Sequence, residues 1–203
     1  MKIIILGGFL GAGKTTVLLQ YARSLITHST QNGNPVVILE NEISEAGVDN
    51  QLLSRNHFLV KNIFSGCICC TSSAQLEQSV REIERDYSPE YLLIESTGMA
   101  YPDSVRRTLR DAGSWDTGIV ALVDCKRWHK LKCAMPDFVT SQLKDASVIL
   151  ANKIDKVDEN EQREVIADVS RYNSSARVFP ISAIKKQPDE LWTKITALCL
   201  EKG

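Results

Sequence analysis

Six short runs of apolar, mostly β-branched residues punctuate the chain, at positions 3–6, 36–39, 92–94, 119–123, 148–150 and 177–179. Each is too short for a helix and is bounded by polar residues or glycine and proline, which predicts a buried strand. Between them, apolar residues recur at helical spacing over 15–25, 74–85, 104–111, 138–144, 159–172 and 189–200. Strand alternating with helix implies an α/β fold: a doubly wound, mostly parallel sheet with right-handed crossovers and helices on both faces. The stretch 27–35, rich in Ser, Thr, Asn and Gly, reads as a surface connection. Residues 41–47 and 63–73 are also irregular, and long loops of this kind in a compact domain carry function.

Composition narrows the classes. A length of 203 residues argues for one domain, residues 1–203, able to bury a core without disulfides or metal. Lys and Arg total 24 against 25 Asp and Glu, so there is no basic excess to grip nucleic acid or a membrane surface. Lys2 followed by Ile3, Ile4, Ile5 and Leu6 imitates a secretory signal. Gly7, Gly8, Gly11 and Gly13 interrupt the run, however, and no small-x-small cleavage site closes it. No window approaches the ~18 apolar residues of a membrane span. A cytoplasmic protein is expected, in which the six cysteines are read as metal, redox or buried residues rather than as disulfides.

Gly8-Phe9-Leu10-Gly11-Ala12-Gly13-Lys14-Thr15 fits G-x-x-x-x-G-K-[ST] and stands between a predicted strand and a predicted helix, as a phosphate loop must. Glycines let successive backbone N–H groups, Gly11, Ala12 and Gly13 among them, turn toward a phosphate at the positive end of the helix. Lys14 would bridge the β- and γ-phosphates, the Thr15 hydroxyl would ligate Mg²⁺, and Thr16 follows in the same turn. A carboxylate on a neighbouring strand is also required. Glu95 in Leu92-Leu93-Ile94-Glu95-Ser96-Thr97-Gly98 supplies it, with Gly98 placed to offer an N–H to the γ-phosphate. Glu in place of the usual Asp adds one methylene of reach, which suggests contact with metal-bound water. Asn152-Lys153-Ile154-Asp155 reads as N-K-x-D: the Asp carboxylate can accept both N1–H and N2–H of guanine, donors that adenine does not present there. Ser182-Ala183, one strand later, can close over the base edge.

Cys67-Ile68-Cys69-Cys70 places three of six cysteines within four residues. Thiolates at that density suit Zn²⁺ or another thiophilic metal, with a position left for a further ligand; a redox switch and simple packing are the alternatives. Cys125, Cys133 and Cys199 read as gap fillers. The acidic loop holds Glu40, Glu42 and Glu45, which can complete a metal site or orient the attacking water, and Asp49, which can do the latter; a solvated acidic loop is the alternative reading.

Together these segments resemble the CobW-type GTPases, relatives of the nickel-insertion GTPases of hydrogenase and urease maturation (the CobW/HypB/UreG family). The resemblance rests on 7–16, Glu40-Asn41-Glu42, Gly66-Cys67-Ile68-Cys69-Cys70-Thr71, Glu95-Ser96-Thr97-Gly98-Met99-Ala100 and Asn152-Lys153-Ile154-Asp155, nearly the whole chain. It implies a P-loop GTPase of the SIMIBI type acting as a metallochaperone or cofactor-assembly protein. GTP binding and hydrolysis would gate metal capture and release, commonly with nucleotide-linked dimerisation and with a client protein as recipient. Two departures stand out. Long members carry a second domain and often a histidine-rich stretch, whereas this chain has only His28, His57 and His129; its expected form is the GTPase domain alone. Ile43-Ser44 also stands where a Phe-Gly or similar pair is usual.

The expected activity is therefore slow GTP hydrolysis with Mg²⁺, coupled to a metal (Zn²⁺, or Co²⁺ or Ni²⁺) at Cys67, Cys69 and Cys70 with Glu40 and Glu45. Lys14, Thr15, Glu95, Glu42 and Asp49 are the candidate catalytic residues, and no arginine finger is identifiable. The alternatives are a P-loop small-molecule kinase, which would prefer ATP, and a non-catalytic GTP-dependent adaptor.

Overall fold

The computed structural model describes residues 1–29, 34–40, 59–62, 73–96 and 100–200, the segment 59–62 by its backbone. Alternation along the central strands explains the layering. In β1 (Lys2–Gly8), Ile3 and Ile5 point into one apolar cluster and Ile4 and Leu6 into the other, all inaccessible to solvent. Side chains two residues apart share a face, so a strand apolar at every position is buried on both sides.

The remaining strands are β2 (Val36–Glu40), β3 (Leu59–Asn62), β4 (Tyr91–Glu95), β5 (Asp116–Asp124), β6 (Val148–Asn152) and β7 (Arg177–Pro180). They form a seven-stranded sheet in the order β3-β2-β4-β1-β5-β6-β7, and every neighbouring pair is parallel. All six expected strands are present, five of them buried as expected; β7 lies at the edge of the sheet, and its Arg177–Pro180 segment is only partly buried because one side has no neighbouring strand. The seventh, β3, pairs with β2 at the sheet edge, and its Leu-Val-Lys-Asn sequence lacks the apolar run that marks a strand buried on both faces. The sheet is wholly parallel, where a mostly parallel one was expected.

Helix α1 (Lys14–His28) and the last helix, α7 (Asp189–Leu200), cover one face. Tyr21 stacks on Trp192 between them at 5.2 Å. The other face is covered by α2 (Ser73–Tyr87), α3 (Pro102–Ala112), α5 (Pro136–Leu143) and α6 (Glu159–Tyr172). A short α4 (Trp128–Ala134), not expected from the periodicity, inserts Trp128 into the same cluster. Cys125 and Cys199 are buried, and burial pushes both thiols up to about 12, as befits packing residues; Cys133 is exposed. No helix among the described residues is long and apolar enough to cross a membrane.

The chain leaves β1 toward β4 and β2 on one side and later continues to β5 and β6 on the other. That reversal of strand order opens a crevice beyond the carboxyl ends of the strands, where ligands of doubly wound sheets bind.

Candidate nucleotide-binding site

The turn after β1 is built on glycines that have to be glycines. Gly8, Gly11 and Gly13 hold φ of 138°, 72° and 97°, which other residues adopt only under strain. A Cβ on Gly8 would lie 2.6 Å from the Leu122 carbonyl, and one on Gly13 would lie 2.6 Å from Asn152 Nδ2. Gly13 then caps α1 without a side-chain hydrogen bond, and the first helical turn carries no acidic residue. Instead Lys14 occupies the positive end of the helix dipole, buried, with Nζ 3.4 Å from the Phe9 carbonyl. A cation at that end is unfavourable by itself; an anion in the loop removes the conflict.

The base motif reaches this loop directly. Asn152 Nδ2 donates to the Ala12 carbonyl (2.8 Å), while its Oδ1 accepts from the backbone N–H of Lys153 (2.8 Å) and of Ala183 (2.9 Å). Lys153, itself at φ 66°, sends Nζ to the Gly11 carbonyl (2.6 Å) and to Asp124 Oδ2 (2.8 Å). Ser182 Oγ donates to Asp155 Oδ1 (2.6 Å), which holds that carboxyl below its ordinary range and keeps it an acceptor at neutral pH. Gly11, Gly13, Thr16, Asn152, Lys153, Asp155 and Ala183 line one cleft of about 600 Å³. The phosphate loop and the base motif thus share one cleft, with Ala183 in its lining and Ser182 hydrogen-bonded to Asp155 beside it.

On the phosphate side, the Thr15 hydroxyl donates to Glu95 Oε1 at 3.1 Å. A hydroxyl and a carboxylate paired in this way are hard oxygen donors that would fit a magnesium ion with its water shell, with Thr15 as a ligand and Glu95 toward a bound water. Glu40 sits beside Glu95, the two being register partners across β2 and β4. Strand alternation puts both carboxylates on the α1 face. Glu40 is buried, beside the Glu95 that accepts from Thr15. Glu42, Glu45, Asp49, Cys67, Cys69, Cys70 and Gly98 lie outside the described residues. Among the described residues, no three His, Cys, Asp or Glu side chains are grouped to hold a metal.

Two site residues escape sequence reasoning. Asp124 ends β5 in register with Asn152, its side chain 1% exposed, and Arg127 follows in a short 3₁₀ turn. Arg127 Nε donates to Asp124 Oδ2 (2.7 Å) and Nη2 to the Leu10 carbonyl (2.6 Å). Burial alone would raise the Asp124 pKa, but hydrogen bonds from Lys153 and Arg127 outweigh it and hold the carboxyl below its usual range. The available signal was an acid at the carboxyl end of a central apolar strand.

Known proteins agree with this geometry. Residues 2–180 match the family model described as CobW/HypB/UreG, nucleotide-binding domain. The chain is 32% identical over 195 residues to the zinc chaperone YjiA of Escherichia coli, covering 90% of this chain and 58% of that protein. It is 27% identical to the zinc-regulated GTPase metalloprotein activator 1 of Dictyostelium discoideum, over 88% of this chain and 45% of that one. It therefore spans about half the length of the curated relatives it matches. Among solved structures, the hydrogenase maturation factor HypB of Archaeoglobus fulgidus superposes with a TM-score of 0.69 at 16% identity, covering 97% of this chain and 88% of that one, a likeness of fold. With its family match spanning all seven strands of the sheet, and a phosphate loop hydrogen-bonded to an N-K-x-D motif, this chain belongs to the CobW/HypB/UreG nucleotide-binding domain family.

Proposed function

We propose that this chain is a GTP-binding and GTP-hydrolysing metallochaperone domain, formed by residues 1–203 as one unit, in which nucleotide state gates a thiol-bound metal. The observation that carries the nucleotide half is the bonding of Asn152 and Lys153 to the carbonyls of Ala12 and Gly11, with Asp155 oriented by Ser182. A base seated at Asp155 and a phosphate seated at Gly13 would then occupy one continuous cleft, and the acceptor at Asp155 favours guanine over adenine.

In this reading Lys14 holds the β- and γ-phosphates, and Gly98 meets the γ-phosphate. Mg²⁺, held by Thr15 and by water on Glu95, supplies charge neutralisation on the phosphate oxygens. Glu42 or Asp49 orients the attacking water. Arg127 is engaged by Asp124 and Leu10 rather than presented as a finger, so unassisted turnover is on the order of 10⁻⁴ to 10⁻² s⁻¹.

The metal half rests on Cys67, Cys69 and Cys70 with Glu40 and Glu45, and on relatives that bear the name zinc chaperone. Three thiolates favour zinc, with cobalt and nickel as outcomes of the same assay. A client metalloprotein receives the metal, and a nucleotide-linked homodimer is the expected assembly.

The test is a zinc titration of the protein with a non-hydrolysable GTP analogue, with GDP and without nucleotide. Different zinc affinities across the three, abolished by Cys69→Ala while GDP affinity is retained, support the reading. Equal affinities in all three states sink the coupling, and a preference for ATP over GTP sinks the guanine assignment.

A further inference from the structure

Three consecutive carbonyls at the crest of the phosphate loop each accept a hydrogen bond from beyond it: Leu10 from Arg127, Gly11 from Lys153 and Ala12 from Asn152. The last two donors belong to the base motif. Arg127 belongs to neither the loop nor that motif, and its role is open.

We infer that Arg127 is a positioning residue for the phosphate loop, turning the Leu10–Gly11 peptide so that the Gly11 N–H faces the diphosphate of a bound nucleotide. The inference rests on the guanine-nucleotide reading above. A peptide unit is planar and trans, so its C=O and N–H point in opposite directions. Drawing the Leu10 carbonyl toward β5 therefore aims the Gly11 N–H away from β5, into the concavity of the loop. The Ala12–Gly13 peptide is set in the same way by Asn152, whereas the N–H between them, that of Ala12, turns back onto the Phe9 carbonyl at 3.0 Å. Arg127 and Asn152 thus control alternate donors of the cradle.

The guanidinium is itself held. Asp124 accepts from the Arg127 backbone N–H through Oδ1 (3.3 Å) and from its Nε through Oδ2 (2.7 Å). The planar fork then leaves Nη2 facing Leu10. An ammonium at the end of a lysine chain is a point donor and cannot span both partners in a fixed plane. Gly11 passes so close that a Cβ there would lie 3.3 Å from Nη2. Because Lys153 shares the same Asp124 oxygen, one buried carboxylate ties the orientation of the base motif to the orientation of the loop.

The experiment is competition binding against a fluorescent GDP, with GDP, GMP and ADP as competitors, on the wild-type chain, Arg127→Ala and Arg127→Lys. Losing one charge-assisted hydrogen bond that orients a phosphate donor should weaken GDP by about tenfold. GMP, which lacks the β-phosphate, should change by no more than about twofold on the same scale, and the GDP-to-ADP preference should be kept. Arg127→Lys keeps the charge and should recover only part of the GDP loss. Equal weakening of GDP and GMP, no weakening of either, or complete rescue by Arg127→Lys overturns the inference. Should Arg127→Ala lose its cooperative unfolding transition, Arg127→Lys carries the test by the same GDP-to-GMP comparison. A wild-type chain that binds no guanine nucleotide refutes the functional reading instead, so the two failures are distinguishable.

Discussion

Asn152→Ala is the most demanding test of how the site is held, because it needs no ligand. Asn152 is 1% exposed and makes three hydrogen bonds, to the Ala12 carbonyl, the Lys153 N–H and the Ala183 N–H. Truncation strands two groups on buried residues, the carbonyl of Ala12 and the N–H of Ala183. The third, on half-buried Lys153, can turn to water. Each buried group left unsatisfied costs about 1–3 kcal/mol, which gives a loss of roughly 3 kcal/mol for the pair. For a chain of this size that corresponds to a fall in Tm of about 6–12 °C. Urea denaturation followed by tryptophan fluorescence reports the change through buried Trp128 and Trp192, and an unchanged m-value would show that the denatured state is not responsible. A loss below about 1 kcal/mol would mean that water or a local shift satisfies those groups. The claim that the base motif braces the phosphate loop would then be wrong.

Other perturbations separate site from scaffold. Glu95→Gln keeps a hydrogen-bond partner for Thr15 but removes the charge that in the proposed function orients metal-bound water; on that proposal GTP hydrolysis should fall by roughly 10–100-fold with GDP affinity little changed, and an unaltered rate would remove Glu95 from the proposed magnesium shell. Gly118→Ala drives a Cβ to 2.5 Å from Cys199 Cβ where α7 crosses β5; calorimetry should find a loss of about 1–3 kcal/mol from overpacking without a matching loss of nucleotide affinity. Asp168 accepts from Lys132 Nζ (2.6 Å) and Trp128 Nε1 (2.8 Å); burial acts to raise its pKa, but those bonds hold it lowered. Its stabilising contribution is therefore complete above the unfolded value of about 3.9 and is lost as pH falls through the folded value. The gap between wild type and Asp168→Asn, under about 1 kcal/mol for a partly exposed pair, should be present at pH 7 and close toward pH 3; a gap independent of pH would contradict the assignment.

What the sequence determined by itself is the chemistry that sits in short contiguous segments. Gly8 to Thr15 must be a phosphate loop because glycines, lysine and hydroxyl act within one turn, and Asn152 to Asp155 must follow a strand because its donors and acceptor act together from that strand's end. Five of the six expected strands were legible for a related reason: burial on both faces demands an unbroken apolar run, as in Ile3 to Leu6, whereas β7 at the other edge is only partly buried. β3 was not legible, since an edge strand meets no such demand and its four residues include a lysine. Nor was α4, whose seven residues bury only Trp128 and so show no helical period.

Tertiary structure alone decided which distant residues share the site. Asp124 and Arg127 carry no motif; they matter because parallel pairing sets Asp124 beside Asn152 and the loop after β1 passes over that strand end. The neighbouring register of Glu40 and Glu95 has the same origin. Local sequence specifies which groups a segment can offer, whereas strand order, which depends on burying both faces of one sheet at once, specifies which groups meet.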